Sequence, residues 1–446
     1  MKPVDPSTNI LMKNLQGNIL KGHGRDNSNQ LFIEFLPDKD REAKAWLADF
    51  SKKQVTSAQV QYEQIMAYRL SGEDGGVFAS VFFTKKGYKT FGYDNVCEKF
   101  KSRSFLNGLK VPDQRLNDPP VNEWEEGFRM EIDVMILLAA NDFELLEQIT
   151  ANKVKELMAF AKVHIERGRK LTNHDNQNIE HFGYVDGISN PIFFKDEIDA
   201  YQQNKPINYD PSADTNLVLV RDPYMNSSME EPCMGSFLVY RKLHQDVKGF
   251  KLAEKELGEK LFPNSSAHVR EIVGAYIIGR FENGSPVTES QYDDVPDAHL
   301  YNNFNYKNDT GGQKCPYFAH IRKMNPREDL DGTDHKSHVM ARRGMPYGKE
   351  GEVDVGLLFM SFQADIENQF EHIQINWAND SLSPKQAPAN ATGVDIIIGQ
   401  PVKYRFPEYG TSNSKQFALQ QFVTFKGGEY FFAPSIPFLT YLNTIV

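Results

Sequence analysis

The sequence predicts an α+β protein built from two similar units, each with a mostly antiparallel sheet covered on one face by helices. Short alternating or apolar runs are each followed at once by a helically spaced segment. A polar stretch rich in turn formers, KDEIDAYQQNKPINYDPSADT (195–215), divides the chain near its middle. No glycine-rich phosphate loop follows any strand, which argues against a doubly wound parallel sheet.

In the first half, strand-like runs at 31–36, 77–83 and 131–138 precede helical spacing over 40–52, 85–91 and 142–158. In the second half, 236–241 precedes a helical stretch over 250–261, and 356–362 precedes 365–377. These helical stretches are too few to cover both faces of a parallel sheet. The expected division is an N-terminal unit over 1–205 and a C-terminal unit over 206–446.

With 446 residues, 40% of them hydrophobic, the chain exceeds one small core and suits two domains. Its net charge is −10 and its 50 basic residues are scattered, so a phosphate-tracking surface and a nucleic-acid partner are not expected. The N-terminal segment has neither an apolar signal core nor a twin arginine, and no run reaches membrane-spanning length. A cytoplasmic protein without membrane contact is expected. Cys97, Cys233 and Cys315 are odd in number and far apart, which suits free thiols in a reducing compartment.

Three segments are unusual for structural turns. In EHFGYVDGISNP (180–191), Asp186 and Gly187 form a pair whose default meaning is a tight turn. Gly183, Gly187 and Pro191 fix a loop there, and Phe182 and Tyr184 can bury it, so a carboxylate held in it can have its proton affinity tuned. In KCPYFAHIRKMNPR (314–327), an extended strand would put Phe318, His320 and Arg322 on one face; a structural histidine is the ordinary alternative. In MARRGMPYG (340–348), two adjacent arginines meet a turn that would aim one of them, although such pairs are usually solvated. His335 and His338, beside Asp331 and Asp334, have a spacing that invites a metal, but no convincing third ligand accompanies them.

Together and in this order, these three motifs resemble the dye-decolorizing peroxidases. Supporting stretches are LQGNILKGHGR from Leu15, LVLVRDP from Leu217, GSFLVYRKL from Gly235 and GLLFMSF from Gly356. Length and N-terminal segment are most similar to the long, unexported bacterial branch. The resemblance implies two ferredoxin-like domains of the dimeric α+β barrel type, the first ending in a loop over the pocket and the second holding one haem b per chain. It implies that His320 is the proximal iron ligand, Asp186 the distal carboxylate and Arg342 the distal arginine, with Arg343 the competitor for that last role. Leu357 and Phe359 match apolar residues of the distal side. Asp395, in GVDIIIGQ, is the candidate carboxylate behind His320, with Glu367 its rival. Arg241, Arg280 and Arg322 are candidate partners of the haem propionates.

The implied activity is oxidation of bulky dyes, phenols and similar reductants by hydrogen peroxide, in a monomer or homodimer. Tyr347 and Trp377 are candidate surface groups for reductants too large to enter the pocket. A haem carrier or iron-releasing protein of the same fold is the alternative, since fold does not fix function.

Overall fold

The computed structural model describes residues 3–6, 9–203, 206–225, 232–264, 267–295, 301–327, 335–385, 387, 392–399, 403–407 and 409–442. Eight strands form its centre: β1 (Asn27–Phe35), β2 (Phe78–Phe83), β3 (Val134–Ala140), β4 (Ala161–Arg169), β5 (Met234–Gln245), β6 (Met345–Tyr347), β7 (Gly356–Gln363) and β8 (Val423–Ala433). Their hydrogen-bonding order is β5-β8-β2-β3-β1-β4-β6-β7, and β7 pairs back onto β5, so the sheet closes into an antiparallel barrel. Four strands precede residue 206 and four follow it. Within this sheet, strands of the two halves pair at two seams among the described residues, where Phe432 pairs with Phe83 and Tyr347 with Gly168.

An eight-stranded barrel has an interior just wide enough for side chains to fill. Phe32 of β1 and Tyr240 of β5, on strands that are not neighbours in the ring, meet inside it with centroids 4.8 Å apart. Lys242 also points inward and is paired with Glu125 at 2.7 Å and Glu166 at 3.0 Å. Every residue of β2 and β3 is buried, because helices cover the outer face while the barrel fills the inner one. Two of these helices are α1 (Asp40–Gln54), burying Ala43, Leu47 and Phe50, and α3 (Phe143–Leu157), burying Leu146, Thr150 and Leu157. Such three- and four-residue spacing is that of a helix with one apolar face.

Between α1 and α3 lies α2 (Ala58–Ser71), which the sequence pattern does not reveal, because its apolar residues are spread around the axis and only Ala58 and Gln61 are buried. The strands β4 and β8 were also hidden. In β4 the apolar Val163 and Ile165 alternate with charged neighbours, and β8 contains Gly427-Gly428, which reads as a turn. Gly427 is instead a β-bulge with φ +144, and a Cβ there would lie 2.4 Å from Cβ of Phe128. The segment after β7 is helical as expected, but of the π type over Glu367–Glu371 and Ile373–Ala378.

A second apolar cluster lies outside the barrel in the C-terminal half. It joins α4 (Val247–Leu261) and α5 (Ala267–Ile278) to the segment around Phe318. The space between this layer and β5, β7 and β8 holds the pocket. All three cysteines are free. Among the described residues, no helix is long and apolar enough to cross a membrane.

Gly427→Ala combines a backbone conformation unfavourable for L residues with overpacking against Phe128. It is expected to lower the unfolding free energy by roughly 2–4 kcal/mol, read from the shift of the denaturant midpoint. A midpoint within error of the parent would show that the bulge tolerates a side chain.

Candidate active site

Strand alternation builds the floor of the pocket. Residues facing each other across paired strands share a sheet face, and the registers align Arg241 with Phe359, Leu243 with Leu357, and Gln245 with Val423. These six side chains line one cavity of about 560 Å³. Their neighbours Tyr240, Leu358 and Met360 are fully buried in the barrel. Leu357 and Phe359 thus stand on the cavity wall.

His320 opens a short helix, α6 (His320–Met324), rather than sitting on a strand. This overturns the expected shared face, because residues two apart on a helix point to nearly opposite sides. Arg322 accordingly turns away from the cavity and is 1% exposed. Its Nη1 donates to Asp309 at 2.9 Å and its guanidinium stacks on Tyr317. It is a structural ion pair, not a group of the pocket.

The Nδ1 of His320 lies 2.8 Å from Oδ2 of Asp395, whose side chain is fully buried. The other carboxylate oxygen accepts the N–H groups of Ile397 at 2.8 Å and Ile398 at 2.9 Å. Burial alone would lower the proton affinity of His320, but the Asp395 charge and hydrogen bond raise it. With Nδ1 engaged by Asp395, His320 lines the cavity and can turn Nε2 to it. Glu367 is elsewhere: it accepts from Ser102 Oγ and from the Ser104 N–H.

Asp186 and Arg342 line the same cavity and both act on the charge of His320. Gly187, with φ +82, turns the chain directly after Asp186. Asn190 ties the two together, since its Nδ2 donates to the Gly187 carbonyl at 3.3 Å and its Oδ1 accepts the Arg342 N–H at 2.9 Å. The adjacent arginines separate where a short strand at the edge of β7, Ala341–Arg342, ends. Arg343 points away from the cavity and donates to the carbonyls of Asn18, Ile19 and Arg342. Burial, with Arg342 adding, pushes its guanidinium down to about 10.

Arg280 also lines the cavity. It donates to the carbonyls of Gly284 and Tyr301 and to Ser189 Oγ, but to no carboxylate among the described residues. Burial, reinforced by Arg327 and Arg342, lowers it to about 9. Arg327 shares this wall and was not singled out from the sequence, although it closes the HIRKMNPR motif; its partners are carbonyls and the Asn302 side chain. Arg241 reaches the cavity as well, with its terminal nitrogens on Asp118. Phe370, Ile373 and Gln374, on the helical segment after β7, line the cavity too and were not singled out from the sequence.

Other candidates fall away from the pocket. Tyr347 and Trp377 are each 5% exposed, so neither offers an open contact face at the surface. His338 stacks on His372 at 3.8 Å and its Nδ1 bonds the Asn368 carbonyl. Asp331 and Asp334 lie outside the described residues, and no group of three metal-binding side chains occurs among those described.

Comparison with known proteins agrees with this architecture. A family model described as "DyP dimeric alpha+beta barrel domain" matches residues 14–172, and one described as "Dyp-type peroxidase, C-terminal" matches 177–387. The chain is 37% identical to the multifunctional dye peroxidase DyP2 of Amycolatopsis, over 98% of this chain and 99% of that protein. It superposes on a DyP-type peroxidase of Anabaena with a TM-score of 0.90 and 37% identity, covering 99% and 97% of the two chains. A dye-decolorizing peroxidase solved in complex with 2,6-dimethoxyphenol gives a TM-score of 0.80 at 25% identity, covering 96% and 98%. Barrel and homology together define an oxidoreductase of the peroxidase class. The chain belongs to the dye-decolorizing peroxidase family, whose members depend on haem.

The cavity fits that group. Its donor set is an imidazole held by a buried carboxylate, apolar walls, and two buried arginines, Arg280 and Arg327, with no carboxylate partner among the described residues, suited to a planar metal cofactor with two propionates.

Removing Arg322 should act on stability. Arg322→Met strands the Asp309 carboxylate in the interior, at an expected cost of about 3–5 kcal/mol in chemical denaturation. A variant of parental stability that no longer binds haem would return Arg322 to the pocket.

Proposed function

We propose that this chain binds one haem b through His320 and uses hydrogen peroxide to oxidise dyes and phenols in the cytoplasm. The observation that carries the reading is the meeting in one cavity of a carboxylate-backed imidazole with Asp186 and Arg342, three groups drawn from separate segments. The phenol bound to a similar protein and the three free thiols support the substrate class and the compartment.

When bound, the haem supplies the iron at which peroxide is reduced and holds the oxidising equivalents passed to the reductant. His320 would ligate it through Nε2, while Asp395 holds the Nδ1 proton and so fixes the tautomer and makes the imidazole more electron-rich. Arg280 and Arg327 would hold the propionates. Asp186 would accept a proton from one peroxide oxygen at its carboxylate and return it to the other, which then leaves as water. Arg342 would stabilise the negative charge that develops as the O–O bond breaks, without giving up a proton itself.

A haem carrier has no use for an acid–base carboxylate beside an arginine. The Arg342 side chain has no anionic partner among the described residues and stays available to a ligand. Stopped-flow absorbance after peroxide addition separates the two, since a carrier would only bleach slowly.

His320→Ala is expected to fold and retain little haem, measured as pyridine haemochrome. Full occupancy with an unchanged Soret band would exclude His320 as the ligand.

Arg342→Leu should slow the reaction with peroxide by on the order of 10²–10³, whereas Arg343→Leu should chiefly lower stability. Asp186→Asn, which keeps the shape and removes the base, should also slow it. The reverse order between the two arginines would reassign the charge-stabilising role.

A further inference from the structure

Glu180 is a carboxylate that the mechanism above does not use, although it lines the same cavity six residues before Asp186. The loop carrying Asp186 closes around it. Glu180 Oε1 accepts the Tyr184 N–H at 3.0 Å, and Oε2 accepts the Phe182 N–H at 2.9 Å. Its own N–H donates to the Tyr184 carbonyl, and its carbonyl accepts the Gly183 N–H. Beyond this ring, Val185 donates to the Glu282 carbonyl and Asp186 to the Asn178 carbonyl. The position of Asp186 therefore depends on the Glu180 ring on one side and on these two bonds on the other.

The partner from the barrel is Gln245 of β5, whose Nε2 lies 2.5 Å from Glu180 Oε2. Its Oε1 is buried and has no hydrogen-bond partner among the described residues. An amide can be turned end for end with little change in shape. Turned, it would offer Oε1 to a carboxylic acid O–H of Glu180, and Nε2 would take the buried place that Oε1 holds now. No lysine, arginine or histidine is paired with the carboxylate among the described residues.

We propose that Glu180 is a positioning residue that carries a proton on the pocket wall, donates it to Gln245 while the loop is in its working form, and weakens peroxide turnover when it ionises. This rests on the reading of Asp186 as the distal base. Burial pushes the Glu180 carboxyl up to about 7; the donors Phe182, Gln245 and Tyr184 oppose this, and the Asp186 charge adds to it. The other charged or titratable groups around the loop are already engaged. Tyr184 donates to Glu254, Lys251 bridges Glu254 and Glu282, His181 bonds the Tyr347 carbonyl, and His244 faces Asp354 at 3.8 Å. Glu180 is left as the group near Asp186 free to titrate about neutrality. Once ionised, it adds a second negative charge beside Asp186 and opposes the charge that develops on the departing oxygen.

The test has two readouts on the full-length, haem-loaded protein. The first is the second-order rate with hydrogen peroxide from about pH 5 to about pH 9. The parent should lose on the order of tenfold through neutrality, and Glu180→Gln, permanently neutral, should stay flat whatever its absolute rate. The second is infrared difference spectroscopy, in which the carbonyl band of a protonated carboxylic acid should vanish as the parent passes neutrality and be missing from Glu180→Gln. Gln245→Leu removes the acceptor of the acid proton, so the band should shift in position and vanish at lower pH. An unchanged fall in Glu180→Gln, or a band that neither substitution alters, overturns the proposal. Asp186→Asn run in parallel keeps the two readings apart: a parental rate there faults Asp186 as base, while the infrared titration still judges Glu180.

Discussion

Closure of the sheet is the constraint on which the rest of this molecule depends. Neither half has enough strands to enclose an interior, and each would leave two exposed edges. Pairing at Phe432–Phe83 and Tyr347–Gly168 removes those edges and commits alternate residues of every strand to the barrel core. The residues between them on β5, β7 and β8 are thereby forced outward, where the helical layer of the C-terminal half encloses them. The pocket floor is the outer face of a strand set whose inner face is already fixed by packing, so a one-residue slip of β7 would exchange Leu357 and Phe359 for Leu358 and Met360.

On this rigid floor the electrostatics are arranged by burial and by what each charge is allowed to touch. Arg322 and Arg343 are neutralised or saturated by carbonyls and a carboxylate away from the cavity. Arg280 and Arg327 reach the wall of the cavity without such a carboxylate among the described residues, and the repulsion of Arg327 lowers the proton affinity of Arg280. Asp395 works in the opposite sense on His320. Held by two backbone N–H groups, it cannot swing away, and the imidazole is fixed through it. The cavity thus brings buried guanidinium groups together with a histidine held by a buried carboxylate.

Fold class was legible because hydrophobic period is a local property. The runs that became β1, β2, β3, β5 and β7 and the helices following them can be recognised from their own residues. The elements that escaped did so for particular reasons: α2 buries too little to show a stripe, β4 hides its alternation among charges, and the bulge of β8 looks like a turn.

By itself the sequence determined the α+β class, the family and the three motifs that supply His320, Asp186 and Arg342, since these follow from residue type and order. Only the tertiary structure decided which neighbour of each motif reaches the cavity or the histidine. Whether Asp395 or Glu367 backs the histidine, which of two adjacent arginines enters the cavity, and that Arg322 leaves it while Arg327 joins it all depend on the direction of a side chain. That direction is set by the winding of α6, the edge pairing of Arg342 and the register of the closed barrel. Those are contacts between residues far apart in the chain, and no local pattern encodes them.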